Sequence, residues 1–250
     1  MWYNITMEKI KYKYRQEKIL IDELSSTPFV CKEVLYEIKS FYNKNVPYHN
    51  FLHVLQVSRE ILRLSSDDFN ILEIKSLLFA GLFHDAWHTG QSEILDEFNS
   101  LDIALEKLTD LQNRFDIWIL DDRIIRKAIV WTVFSNRWKL TDKFAKILWD
   151  FDIGVIWWKL LEFCYYGLPF WYELGQSEEV YITKTEIGYF KYIMSFDKKI
   201  ILTSEVQEIL PNSIKNIKQF MQMDLSKKIE MMKVIKNEDI TYDEFEKRFK

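Results

Sequence analysis

Glycine and proline are scarce in this chain, which contains 6 Gly and 4 Pro in 250 residues. Both residues mark tight turns, and an all-β sandwich or barrel needs many of them. A helical bundle has fewer and less demanding connections. Hydrophobic residues make up 48% of the chain and aromatic residues 16%, which is enough to fill an extended core. The composition therefore predicts an ordered, all-α protein.

Apolar residues recur at helical spacing through most of the sequence, at i, i+3, i+4 and i+7. This pattern predicts helices over residues 29–42, 52–64, 71–83, 94–108, 124–133, 144–158, 187–194, 206–210 and 214–235. Thr241 and Glu244 form the pattern of a capping box and predict a last short helix. Because no linker, repeat or low-complexity segment divides the chain, residues 1–250 are predicted to form a single compact bundle of roughly ten helices.

The charged residues argue against some classes of partner. The formal net charge is -4, and Lys and Arg are scattered, so we expect no nucleic-acid polymer as a partner. The N-terminal segment lacks the apolar core of a signal peptide, and no apolar run is long enough to span a membrane. These features predict a cytoplasmic protein without a membrane partner. They do not indicate an oligomeric state.

All 4 histidines of the chain lie between His49 and His88. They form two pairs, each spaced by four residues, in PYHNFLH and in FHDAWH. Residues four apart share one face of a helix, so each pair is expected to point to one place. A single histidine on an apolar face is more often a packed core residue than a ligand. Two close pairs beside the carboxylate of Asp85 instead favour a metal site.

A later acidic residue completes this hypothesis, and the segment KILWDFDIG offers two, Asp150 and Asp152. Both are flanked by large apolar residues, where an unpaired charge is expensive to bury. Either carboxylate could bind a metal, whereas one of them could instead cap a helix or pair with a lysine. Reasoning from the residues leaves both alternatives open.

The order His53, then His84-Asp85, then Asp152 resembles the H…HD…D signature of the HD-superfamily phosphohydrolases. The segment YHNFLH is similar to the YHNxxH motif of class I cyclic-nucleotide phosphodiesterases and of a group of small bacterial HD proteins. HDAWH is similar to the HDxxH motif that follows in the phosphodiesterases. The resemblance covers about residues 47–155.

The resemblance implies a site for two divalent metal ions. His53, His84 and Asp152 would hold the first ion, which would be Zn, Fe or Mn. Asp85 would bridge to a second ion, which would be Mg or Mn. These residues would support hydrolysis of a phosphoester by a metal-activated hydroxide.

The resemblance also implies roles in proton transfer. His49 would be the general acid for the leaving oxygen, and His88 would hydrogen-bond the hydroxide or a metal-bound water. Glu97 matches an acidic position that orients the catalytic histidine or a water, although less specifically. Asp150 and Arg126 are further, weaker candidates for supporting the site or contacting the substrate.

The expected substrate is a small phosphoester, with a cyclic nucleotide ranked first because of the YHNxxH motif. The alternatives are hydrolysis of a linear nucleotide or phosphomonoester at the same site, and a catalytically silent HD-fold binding module. A zinc metalloprotease would need Glu where Asp85 stands and would leave YHNFLH unexplained. The chain is shorter than a phosphodiesterase catalytic domain, and the glutamine and phenylalanine that clamp the purine there have no clear match. The resemblance therefore supports the predicted metal chemistry more strongly than the predicted substrate.

Overall fold

The computed structural model describes residues 7–42, 46, 48–89, 93–115, 117, 119–133, 139–154, 159–167, 170, 175–186, 203–238 and 240–250. Within these residues there are 13 helices and no strands. The predicted all-α class is confirmed, with somewhat more helices than expected. None of the helices in the described part of the chain is both long and apolar enough to cross a membrane.

Seven helices make up the first part of the chain. They are α1 (Met7–Ser25), α2 (Lys32–Lys39), α3 (Phe51–Ile61), α4 (Ile71–Phe83), α5 (Glu93–Phe115), α6 (Asp122–Val130) and α7 (Lys143–Gly154).

Six further helices follow in the described residues, and the first two of them continue into π-helical turns. They are α8 (Leu160–Glu162, continued by the π-helix Phe163–Gly167), α9 (Glu178–Val180, continued by Tyr181–Glu186), α10 (Ser204–Ile209), α11 (Ser213–Gln222), α12 (Leu225–Asn237) and α13 (Tyr242–Phe249).

Helix α4 is the central helix of the bundle and packs against α3, α5, α6 and α7. Every residue from Ile74 to Phe83 is buried, which explains why this segment is apolar on all sides. Gly81 allows the close approach of α3, because a Cβ atom at this position would lie 2.7 Å from Cδ1 of Ile61. This approach places α3, which carries His53, beside α4, whose last residue is followed by His84.

Local capping explains which helix boundaries were predicted well. Helix α4 begins and ends as predicted, since Asn70 and Glu73 form a capping box at its start. The predicted capping box at Thr241 and Glu244 is also confirmed. The single helix predicted over 214–235 is instead two helices, because the Asp224 side chain caps a new start.

One helix was not predicted from the sequence, and one predicted helix and part of another lie outside the described residues. Helix α1 was not predicted, and its buried apolar face (Leu20, Ile21 and Leu24) packs where α1 meets α3. The helix predicted over 187–194 lies outside the described residues, as do residues 155–158 of the segment predicted over 144–158. The single-domain organisation stays a prediction.

Candidate metal centre and the paired histidines

Each histidine pair straddles the end of a helix. Asn50 caps α3, and its side chain accepts a hydrogen bond from the Leu52 backbone N–H at 3.0 Å. His53 therefore lies in the first turn of α3, whereas His49 precedes the helix. Pro47, the first residue of PYHNFLH, lies outside the described residues.

The second pair is divided in the same way. Helix α4 ends at Phe83, and residues 84–87 form a turn in which the His88 backbone N–H donates to Asp85 O at 3.2 Å. The expectation that each pair shares one helix face is therefore wrong. Helix α3 begins after Asn50, between His49 and His53, and α4 ends with His84 as its C-cap, so neither pair lies within one helix.

One histidine from each pair meets two carboxylates in a buried centre. His53 donates from Nε2 to Asp152 Oδ1 at 2.8 Å and lies 3.7 Å from Asp85 Oδ2. His84 Nε2 lies 3.3 Å from Asp85 Oδ2 and 3.5 Å from Asp152 Oδ1. His53 is 3% exposed, His84 1% and Asp85 5%. Four of the residues predicted to bind metal thus converge.

The geometry of His84 leaves one ring nitrogen available as a ligand. Its Nδ1 lies 2.8 Å from the carbonyl oxygen of Gly81, so Nδ1 carries a proton and donates it there. Its Nε2 and Asp85 Oδ2 face each other, and both are buried without a hydrogen-bond partner among the described residues. Orphaned buried polar atoms of this kind require an explanation, and a cation between them supplies one.

The charges of the centre are strongly coupled. Burial lowers the pKa of His84, but the charges of Asp85 and Asp152 outweigh it and raise this pKa to about 9. Burial disfavours the ionised form of Asp152, yet the hydrogen bond from His53 and the nearby His84 ring hold its pKa well below the usual range. The pKa of Asp85 is also lowered, chiefly by the charge of His84 acting against burial. Two ionised carboxylates thus enclose the single positive charge of protonated His84.

The donor set fits a divalent cation. Imidazole nitrogen and carboxylate oxygen are the ligands that Zn, Mn and Fe accept in proteins. Two such atoms at about 2.0–2.2 Å from one tetrahedral ion lie about 3.3–3.6 Å apart. The separations of His84 Nε2 from the Asp85 and Asp152 oxygens, 3.3 and 3.5 Å, match this spacing. The ligand atoms of His53, His84 and Asp152 all lie within 4.8 Å of one another.

The remaining two histidines form a second pair beside the centre. The rings of His49 and His88 stack with centroids 3.7 Å apart and an interplanar angle of 16°. His49 also contacts His53 edge-on, with ring centroids 6.2 Å apart. The four histidines therefore regroup, with one of each sequence pair in the metal centre and the other in the stack.

Aromatic rings border the stacked pair. The ring of Phe170 packs edge-on against His49 at 5.4 Å and against Tyr48 at 5.2 Å. Tyr48 in turn lies 5.0 Å from the ring of His53. These rings give the side of the site near His49 an apolar border.

Helix α5 supplies an acidic residue that the sequence analysis missed. Asp96 Oδ2 lies 3.7 Å from Nδ1 of His88, and both oxygens of Asp96 accept hydrogen bonds from Thr89. The sequence analysis placed the supporting acid at Glu97, which is also buried. The signal that could have identified Asp96 is its place in the first turn of the helix that follows HDAWH.

The two weaker candidates, Asp150 and Arg126, lie on α7 and α6. Asp150 is fully buried, and its Oδ2 accepts hydrogen bonds from the backbone N–H and the hydroxyl of Thr203, both at 2.8 Å. Of the two acids left open by the sequence, Asp152 enters the centre and Asp150 anchors the start of α10. Arg126 is exposed on α6.

No protein-family model matches the chain, and no curated protein matches it.

Proposed function

We propose that this protein is a metal-dependent phosphohydrolase of the HD type that hydrolyses a small nucleotide phosphodiester, with a cyclic nucleotide as the first substrate class. One observation carries the proposal. A buried group of two imidazoles and two carboxylates lies directly beside a stacked pair of histidines. The first group suits divalent cations, and the second can exchange protons near neutral pH.

The metal-binding residues follow from the donor set. His53, His84 and Asp152 would hold a first cation, and Asp85 would be shared with a second. Zn, Fe or Mn suits the first position because of its imidazole ligands, and Mg or Mn suits the second. Bound divalent cations supply a lowered pKa for water and neutralise charge on the phosphoryl group.

The protein's own charges prepare the centre for such cations. Asp85 and Asp152 are ionised, and the single positive charge of protonated His84, which its Nε2 proton confers, leaves the group with excess negative charge. A divalent cation that replaces this proton would balance the two carboxylates. Burial strengthens the attraction because the local dielectric constant is lower than that of water.

Proton transfer falls to the stacked pair. His49 is the proposed general acid, and its ring gives a proton to the leaving oxygen of the ester. It is suited to this role because it is half-buried and adjoins His53, whereas the group of converging ligand atoms is made by His53, His84 and Asp152. His88 covers one face of the His49 ring and holds its orientation.

The same geometry argues against a metalloprotease. A His-Glu-x-x-His zinc site needs both histidines on one face of one helix. Here α4 ends at Phe83, and His88 turns away from His84 to stack on His49. The second histidine of HDAWH is thus not directed at the same ligand position as the first.

A metal assay combined with a phosphoester panel tests the proposal. Metal content is measured by elemental analysis, and hydrolysis of bis-p-nitrophenyl phosphate, cyclic mononucleotides, cyclic dinucleotides and nucleoside monophosphates is measured with added Mn, Mg or Zn. We expect cation-dependent hydrolysis of a phosphodiester, with both metal content and activity lost in His84→Ala. Hydrolysis of monophosphates only would favour a phosphomonoesterase. Absence of cation binding would overturn the proposal.

A further inference from the structure

The segment that carries His88 is held from outside by two side chains of α5. The Thr89 backbone N–H donates to Asp96 Oδ2 at 3.0 Å, and the Thr89 hydroxyl donates to Asp96 Oδ1 at 2.7 Å. The Trp87 backbone N–H donates to Ser100 Oγ at 3.1 Å. Asp96 and Ser100 are four residues apart and so lie on one face of α5.

These bonds bracket His88 on both sides. The residues before and after it are each tied to α5, at positions one helical turn apart. Because α4 ends at Phe83, the segment from His84 onward lacks the continuous hydrogen bonding of a helix. Contacts with α5 therefore take the place of helical hydrogen bonds in setting where the His88 ring lies.

Asp96 is the stronger of the two anchors. It is 2% exposed, and burying a carboxylate this completely is costly unless donors compensate its charge. Both of its oxygens accept from Thr89, and Oδ2 also lies 3.7 Å from His88 Nδ1. Hydrogen bonds to a charged acceptor are stronger than neutral ones, so Asp96 restrains Thr89 more tightly than Ser100 restrains Trp87.

We infer that Asp96 is a positioning residue for the acid step: through Thr89 it holds the His88 ring against His49, and thereby orients the proton donor. This inference rests on the proposed function, because it assigns Asp96 to the proton donor of that reaction. The hydrogen bonds of Asp96 described above are made to Thr89 and not to the four metal-binding candidates. Its effect should therefore appear in proton donation and not in metal binding.

Two matched esters separate these effects. The p-nitrophenyl and phenyl esters of thymidine 5′-phosphate differ only in the leaving group. Departing p-nitrophenolate is stable without a proton, whereas the more basic phenolate depends on a general acid. We expect Asp96→Asn to lower kcat for the phenyl ester by about 10–100-fold, the usual effect of removing a supporting partner. The p-nitrophenyl ester and the metal content should change little.

Three further variants control the experiment. Asp102→Asn removes an exposed carboxylate from the same helix and should leave both esters unchanged. Thr89→Val removes the hydroxyl donor while keeping the side-chain shape, and should selectively slow the phenyl ester. Thr89→Ser restores the hydroxyl and should recover the wild-type ratio. The Thr89 variants keep the test valid if Asp96→Asn does not fold.

Proton NMR of the metal-free protein gives a readout that does not depend on activity. The chain has 4 histidines, so their ring signals can be assigned by single substitutions. In the wild type the stacked His88 ring shields the His49 ring protons, and His88→Ala defines the unshielded position. Asp96→Asn should move the His49 signals toward that position, whereas Asp102→Asn should not.

The outcomes distinguish the two proposals. A selective loss on the phenyl ester in Asp96→Asn, with the His49 signals displaced, supports the positioning role. Equal losses on both esters, or unchanged His49 signals, overturn it while the phosphohydrolase proposal stands, provided that His49→Ala itself is selective. A His49→Ala variant that shows no selectivity overturns the proton donor and the inference together.

Discussion

His49 and His88 stack face to face, with ring centroids 3.7 Å apart, although they come from different motifs and from segments that precede α3 and follow α4. Two imidazoles this close repel each other if both carry a positive charge. The stack lies beside the metal centre, whose converging ligand atoms come from His53, His84 and Asp152. Metal binding and proton donation should therefore be separable by substitution.

The clearest test of this separation is His49→Ala. Its metal content should equal that of the wild type, because His49 is not within the group of converging donors. Its kcat on an ester with a poor leaving group should fall by about 10²–10⁴-fold, the range for loss of one acid–base group. Elemental analysis and steady-state kinetics check both statements. Full activity on such an ester would contradict the assigned role.

Asp150 and Asp152 provide a matched pair on one helix. Asp152→Ala should weaken metal binding strongly, because Asp152 Oδ1 lies 2.8 Å from His53 Nε2 and 3.5 Å from His84 Nε2. Asp150→Ala should retain metal binding but lower the free energy of unfolding by about 1–3 kcal/mol, since it leaves the buried Thr203 donors unsatisfied. Isothermal titration with Mn²⁺ and denaturant unfolding separate the two effects. The assignment fails if Asp150→Ala is the variant that loses the metal.

Metal affinity should rise with pH. The pKa of His84 is raised to about 9, so its ring is protonated at neutral pH and must lose that proton before Nε2 can bind a cation. The apparent Kd for Mn²⁺ should therefore fall by about tenfold per pH unit between pH 7 and 8. Titration in buffers of equal ionic strength measures this slope. An affinity that does not vary over this interval would show that the proton on His84 does not compete with the metal.

At alkaline pH the stability of the metal-free protein should instead fall as pH rises. A folded pKa raised above the ordinary value of 6.5 stabilises the fold below that value, and this contribution is lost as pH rises through about 9. The lowered pKa values of Asp85 and Asp152 act the other way, so their contribution is lost as pH falls below the usual carboxyl range. Thermal unfolding with a chelator present records both limbs. In His84→Gln the loss of stability at alkaline pH should disappear. If that loss persists, the raised pKa of His84 is not its cause.

Local sequence signals predicted the parts of this protein that depend on near neighbours. Helix α4 was predicted with its observed boundaries because Asn70, Glu73 and the apolar run between Ile74 and Phe83 all act within a few residues. The all-α class followed from composition and periodicity. The two close histidine pairs were also predicted to belong to one site, and members of both pairs do lie together in the structure.

Contacts between distant segments determined how those histidines are used. Helix α3 begins between His49 and His53, and α4 ends at the His84 cap before His88, so the grouping of the histidines depends on how α3 packs on α4 and not on spacing along one helix. The choice of Asp152 over Asp150 depends on which side of α7 faces the centre and which faces Thr203, a residue far along the chain. Asp96 reaches His88 only because α5 folds back beside the end of α4. Periodicity describes a helix and its faces, whereas a site is defined by which faces meet, and that is set by packing across the whole core.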